Sequence, residues 1–201
     1  YETAYHWHAI MLAIQGRFAE SLDEIKHAKE FAPRSFPINK DQGEILFYAR
    51  RFDEAIAQLR NTIEAEPKNP QVSSAYSWIR NSYERKGDFQ SAIKEMKNTG
   101  APAEHIAELQ WALDKSGAKG YWQKRLEFRL QSTQPTTPDG RMLIVFSYAA
   151  AGQTDKAMDR LEQCFADGHD QTRYLKVDPR FDGLRSHPRF AEFLKRLNLQ
   201  N

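Results

Sequence analysis

GRFAESLDEIKHAKEFAP (16–33) and RRFDEAIAQLRNTIEAEP (50–67) are one phrase written twice. Phe18 falls on Phe52, Ser21 on Ala55, Ile25 on Leu59 and Pro33 on Pro67, always 34 residues apart. A fixed period of that size marks a stack of helical hairpins, because one such unit cannot bury its apolar face alone. Within each copy the apolar residues recur at three- and four-residue spacing, which is the helical period. The proline closes the phrase because it cannot continue a helix ladder.

Working outward, residues 2–15 place Tyr5, Ala9, Leu12 and Ala13 on one helical face, and Gly16 frees the backbone to turn. This predicts helix A, turn, helix B (18–31) and stop. The second unit repeats the scheme with helices at 37–49 and 52–65, but Arg50 stands where the turn glycine is expected. That substitution costs up to about 1 kcal/mol if the position needs a positive φ. PKNP (67–70) opens a third unit, with helix A at 71–86, a turn at Gly87-Asp88-Phe89, and helix B through Ala92, Ile93 and Met96 until Asn98-Thr99-Gly100.

The fourth unit keeps fewer marks. Pro102 opens a helix through Ile106, Leu109, Trp111 and Leu113. SGAKG (116–120) makes the turn, and YWQKRLEFRLQ supplies a second helix burying Trp122, Leu126 and Phe128 or Leu130. QPTTPDG (134–140) is the longest expected loop. The fifth unit is clear again: helices at 139–151 and 154–166 flank Gly152, with the Thr154 hydroxyl as the expected cap. The tail YLKVDPRFDGLRSHPRFAEFLKRL breaks the period, with Asp178-Pro179 and Ser186-His187-Pro188 as helix openings. It is read as the atypical segment that seals a terminal repeat. The expected organisation is an array at 1–170, with units at 1–35, 36–69, 70–100, 101–136 and 137–170, and a capping segment at 171–201.

These residues carry a resemblance. Ala9 and Gly43 in A helices, Gly16, Gly87 and Gly152 at turns, Ala55, Ala92 and Ala157 in B helices, and Pro33 and Pro67 at the stops resemble the tetratricopeptide repeat. Tyr5 and Tyr76 depart from the usual tryptophan, and Arg80 replaces the small residue of the third unit. The resemblance implies an all-α solenoid of about five hairpins wound as a right-handed superhelix with a C-terminal helical cap. More narrowly, GYWQKRLE (120–127) and the tail look like the C-terminal ends of CadC or ToxR-like bacterial activators, and related ends occur on bacterial serine/threonine kinases and nucleotide cyclases.

That second likeness implies a sensory or protein-binding region of a larger signalling or transcriptional regulator, acting without catalysis. The alternative it leaves is a set of regulatory, scaffolding repeats on a kinase or cyclase. The chain begins at Tyr1 and is read as part of a longer protein. Nucleic acid would then be met only through an upstream domain and a membrane only through an upstream segment. The repeats would sit in the periplasm in a ToxR-like protein and in the cytoplasm otherwise.

Composition fits this reading. Hydrophobic residues make up 40% and charged residues 28%, enough of each for a core and a solvated surface. A net charge of +2 is too small for nucleic-acid binding by field strength alone. The longest apolar run, MLIVF (142–146), is far short of the roughly 18 residues that span a bilayer. The lone Cys164 forms no internal disulfide and is expected as a small buried apolar residue.

No hydrolase elbow, phosphate loop, zinc-protease or paired-cysteine motif is present, so no catalytic, metal or cofactor residue is assigned. His6 and His8, two apart, point to different helix faces and make a poor metal pair. The tail holds seven basic residues against four acidic ones, which reads as surface balance and salt bridges rather than a phosphate site. Direct DNA binding by that tail is a third reading.

In tetratricopeptide arrays the A helices line a concave groove that holds a peptide or helix. The resemblance carries that role to His6 and Ile10, to Lys40, Glu44, Phe47 and Tyr48, to Ser77, Asn81, Glu84 and Arg85, to Trp111 and Lys115, and to Met142 and Phe146. Lys40, Asn81 and Arg85 would donate to a carboxylate, with Tyr48 and Trp111 as aromatic anchors. Glu44 and Glu84 interrupt a basic clamp, so a mixed groove is expected. The implied partner is a protein or peptide, with self-association also open, and no small-molecule substrate.

Overall fold

The computed structural model describes residues 1–131, 138–168 and 170–197, and within these the secondary structure is helical, with no strand. It divides into two compact units, Tyr1–Ile106 and Ala107–Asn201. Helices pack neighbour to neighbour, as an all-α repeat requires.

The first unit holds α1 (Glu2–Ile14), α2 (Phe18–Phe31), α3 (Phe36–Tyr48), α4 (Phe52–Ala65), α5 (Val72–Lys86) and α6 (Phe89–Met96). Each helix packs on the next, and the A helices also meet in series, α1 on α3 and α3 on α5. Prolines stop the B helices: α2 ends two residues before Pro33 and α4 two before Pro67. Asp88 caps α6 by accepting from the Ser91 N–H at 3.0 Å.

The turn from A to B has the same construction in all three hairpins. Gly16, Arg50 and Gly87 lie in the left-handed region, with φ of 81°, 62° and 77°. In each, the turn residue's N–H donates to the carbonyl three residues back and the next N–H to the carbonyl five back. The bonds are Gly16 to Ala13 and Arg17 to Leu12, Arg50 to Phe47 and Arg51 to Leu46, and Gly87 to Glu84 and Asp88 to Tyr83, all between 2.9 and 3.2 Å. This double bond locks a helix C-terminus by satisfying its orphan carbonyls. Arg50 therefore does adopt the conformation in which a non-glycine residue is strained.

Small residues let the hairpin helices close. Ala9, Gly43, Ala55 and Ala92 are all buried. A Cβ on Gly43 would stand 2.5 Å from Leu59 Cγ, so helix α4 reaches over α3 where only glycine fits. The buried Ser21 hydroxyl donates to the Ala9 carbonyl at 2.7 Å. Phe36, Ile56, Leu59 and Ile63 join Ala75 and Ile79 in a core running from the second hairpin into the third.

The second unit contains most of α7 (Ala103–Gln131), then α8 (Pro138–Ala150) and α9 (Thr154–Ala166). Helix α7 is broken at Ser116 (φ −139°, ψ 15°) and Gly117 (φ 57°), inside the turn expected at 116–120. Lys124 of the second half pairs with Glu108 of the first at 3.2 Å across that break. Within the second half Tyr121 is fully buried and Trp122 only partly so, with Leu126 buried and Leu130 exposed. The buried stripe thus starts one residue earlier than the sequence reading placed it.

Helix α8 begins at Pro138, within the loop expected at 134–140, since proline suits a first helical turn. Residues 134–137 of that loop lie outside the described residues. Gly152, with φ of 76°, repeats the left-handed turn with the same pair of bonds. The residue preceding α9 is Gln153, with no side-chain cap, so Thr154 is the first helical residue rather than the cap.

The tail forms short 3-10 helices at Asp170–Tyr174 and Pro179–Leu184 and ends in α10 (Pro188–Arg196). Its Leu175, Phe181, Leu184, Phe190 and Phe193 are buried in one cluster with Met142, Val145, Met158 and Leu161 of α8 and α9. Asp178 is fully buried; it accepts from the Arg180 N–H at 2.8 Å and from the Arg180 guanidinium at 2.6 Å. That guanidinium also lies 4.0 Å from the centre of the Phe146 ring.

Candidate interaction surfaces

The A helices of the first unit expose one equivalent stripe. His6 and Ile10 on α1, Lys40 and Glu44 on α3, and Ser77 and Asn81 on α5 occupy matching repeat positions, and all six are half-buried. Four residues on, Arg85 extends the stripe on α5 and is also half-buried. Residues spaced by four stand above one another on a helix, so these positions form columns of polar groups.

On α1 and α3 the column is internally paired. His6 Nε2 lies 2.7 Å from Asp41 Oδ2, and Lys40 Nζ donates to Asp41 Oδ1 at 2.6 Å and also to Glu44. The Lys40 side chain is only 13% exposed. Burial by itself would lower its pKa, but the Glu44 and Asp41 carboxylates outweigh burial and the net shift is upward. For Asp41, burial would raise the pKa, and the His6 hydrogen bond together with the Lys40 ammonium pulls it below its usual value instead. Lys40 and Glu44 are therefore bound to each other and to α1 before any partner arrives.

On α5, Ser77 donates to the Ser73 carbonyl at 3.1 Å and Asn81 accepts from Arg80 at 3.4 Å. Glu84 is buried beside Arg80 at 3.7 Å. Arg80, in the slot filled by Ala9 and Gly43 in earlier copies, thus carries its own counter-charge into the packed layer.

Several expected groove residues belong to the core. Phe47 is fully buried and Tyr48 nearly so, both with rings against Trp78 of α5, at 5.1 and 5.7 Å between centroids. They sit under the next hairpin and leave no face for a partner. Met142 and Phe146 are likewise buried, Phe146 against Phe181 at 4.9 Å. Trp111, in the second unit, is 61% exposed. Lys115 Nζ lies 4.6 Å over its ring. Trp111 itself, with Ala107, Glu108 and Lys124, lines an open hollow of about 410 Å³.

A cleft that sequence reasoning passed over lies on the other side of the first unit. It occupies about 560 Å³ between α2 and α4, floored by Gln42 and Leu46 of α3. Asp23, Lys26, Arg51 and Glu54 rim it, and Ala19 and Ala57 leave the gap. The signal was present as paired small residues on two B helices, but their charged neighbours read as ordinary solvated faces.

The remaining candidates resolve simply. Cys164 is buried within the α8–α9 cluster, and burial pushes its thiol pKa up, the opposite of an activated nucleophile. His8 Nδ1 lies 3.3 Å from Glu24 while His6 turns to Asp41, so the two histidines serve different partners. Among the described residues no three metal-ligating side chains cluster, and no helix is long and apolar enough to cross a membrane. The basic tail is tied by acids: Arg180 to Asp178, Arg185 to Asp182, and Arg189 to Asp159 and Glu162.

No family model matches this chain, and no curated protein matches it.

Proposed function

We propose that this chain is a tetratricopeptide-type solenoid, wound as a right-handed superhelix and closed by its tail, that works without catalysis as an interaction and sensory region of a larger bacterial signalling or transcriptional regulator. The observation that carries the reading is the recurring hairpin with the same left-handed, doubly bonded turn at Gly16, Arg50, Gly87 and Gly152. A stack built that way presents its A helices in series and offers an extended surface rather than a catalytic cavity. Ser77, Asn81 and Arg85 are the recognition residues in the first unit, and exposed Trp111 is an aromatic anchor in the second. Lys40 and Glu44 hold the shape of the surface through Asp41 and His6.

Partner capture tests this with wild type, the double variant Asn81→Ala/Arg85→Glu, and Trp111→Ala. All three positions retain solvent exposure, so the variants fold, which circular dichroism checks. Loss of specific partners from the variants supports the reading, and unchanged recovery of every specific partner by all three proteins refutes it.

A further inference from the structure

The first helix exposes a stripe that the later A helices cover. Ala4, Trp7, His8 and Met11 of α1 are exposed, at the i, i+3, i+4, i+7 spacing of one helical face. Their equivalents in α3 are Ile38, Asp41, Gln42 and Ile45, and in α5 Ala75, Trp78, Ile79 and Ser82. All eight equivalents are buried or half-buried.

What covers three of them, Trp78, Asp41 and Gln42, is visible. Trp78 seats its ring against Phe47 and Tyr48 of the preceding A helix. Asp41 bonds His6 of the preceding A helix, and Gln42 accepts from Lys29 of the preceding B helix at 2.8 Å. In both later units this stripe is the seat of the hairpin before it. In α1 the same stripe carries Trp7, 61% exposed, and Met11, 48% exposed. A tryptophan at that register matches Trp78 in both residue type and position.

We infer that the Ala4/Trp7/His8/Met11 stripe of α1 is a docking surface for one further antiparallel helical hairpin of the kind this chain repeats. Trp7 packs against aromatic or aliphatic side chains in the last turn of that hairpin's first helix, as Trp78 packs on Phe47 and Tyr48. A second copy of the chain offers the wrong surface. Its own α1 stripe presents Trp7 rather than the acceptor rings, and its last hairpin is already covered by Phe181, Leu184, Phe190 and Phe193 of the tail. The inference rests on the stacked-hairpin reading above. Exchange at α1 reports it directly, whereas partner capture by the Asn81/Arg85 variant reports the groove, so either can fail alone.

The test supplies the hairpin. Residues 35–68, which carry Phe47 and Tyr48, are fused ahead of Tyr1 so that the 34-residue period continues into α1. Amide hydrogen exchange is read across residues 2–14 in the fusion, in residues 1–201 alone, and in both with Trp7→Asp. Trp7 is exposed in residues 1–201, so this substitution leaves their melting unchanged. The expected result is α1 exchange slowed by about tenfold or more in the fusion, with the slowing lost in its Trp7→Asp form. Unchanged exchange in the fusion overturns the inference. So does sedimentation of residues 1–201 as a dimer that Trp7→Asp dissociates, which assigns the face to a second copy.

Discussion

Replacing Arg50 with glycine should stabilise the first unit. Arg50 has φ of 62°, and the equivalent turns use glycine at 81°, 77° and 76°. Its N–H and that of Arg51 close the two bonds that end α3, so the residue cannot relax out of the left-handed region without losing both. A non-glycine residue held there costs about 1–2 kcal/mol. Glycine removes that cost but gives the unfolded chain more freedom, an offset of about 0.4–1 kcal/mol. The net gain is roughly 0.5–1 kcal/mol. The substitution also removes the whole Arg50 side chain, so Arg50→Ala is the proper reference. Alanine removes the side chain and keeps the strain, and glycine removes both.

The quantity to measure is therefore the stability of Arg50→Gly minus that of Arg50→Ala. Urea unfolding followed by helical circular dichroism gives it, with hydrogen exchange in α3 and α4 as a local check, because arrays need not unfold in one step. The converse substitution is Gly87→Ala. Its φ is 77° and an added Cβ meets nothing within 4 Å, so any loss, about 1 kcal/mol, is purely conformational. If alanine matches glycine at both positions, the left-handed turn does not impose its cost and the account of the repeated turn is wrong.

Three other outcomes follow from the packing. Gly43→Ala drives a Cβ into Leu59 and should cost about 1–3 kcal/mol by overpacking, whereas Gly43→Ala with Leu59→Ile, which copies the Ala9/Ile25 pair of the first hairpin, should recover most of it in a double-mutant cycle. Asp178→Asn leaves the Arg180 guanidinium without its carboxylate in a buried site and should cost about 3–5 kcal/mol, read as a lower melting temperature with faster exchange in α8 and α10. Asp41 has a depressed pKa in the folded chain, so its contribution is complete above its ordinary value of 3.8 and is lost as pH falls through the lower folded value. Urea midpoints measured from pH 5 down to pH 2 should fall less steeply for Asp41→Asn than for wild type; equal slopes would remove Asp41 from the acid response.

Much of the fold was legible because its signals are local. The 34-residue recurrence, the glycines after A helices and the prolines after B helices each act within a turn or two of chain. They place the hairpins, and the break at Ser116–Gly117 falls inside the expected turn even in the most degenerate unit. Arg50 shows that the register of the repeat outweighs residue preference. Two bonds and the packing of α3 on α4 hold an arginine where the local rule asks for glycine.

The candidate surface was less legible because burial on an A helix is decided by the neighbouring hairpin. Counting offsets puts Phe47 and Tyr48 on the groove, but Trp78, some 30 residues later, carries a ring large enough to cover both. The same counting makes Lys40 a free donor, when Asp41 reaches back to His6 and brings a second carboxylate to the ammonium. In the first case the deciding residue belongs to the adjoining copy, where Trp78 stands at the register that the second hairpin fills with Asp41; in the second it is Asp41 itself, held by His6 of the copy before. A surface built at such positions varies from unit to unit while the scaffold beneath repeats. The proposed recognition surface therefore lies where successive hairpins differ, and the α1 stripe is informative for the opposite reason: Trp7 agrees with Trp78.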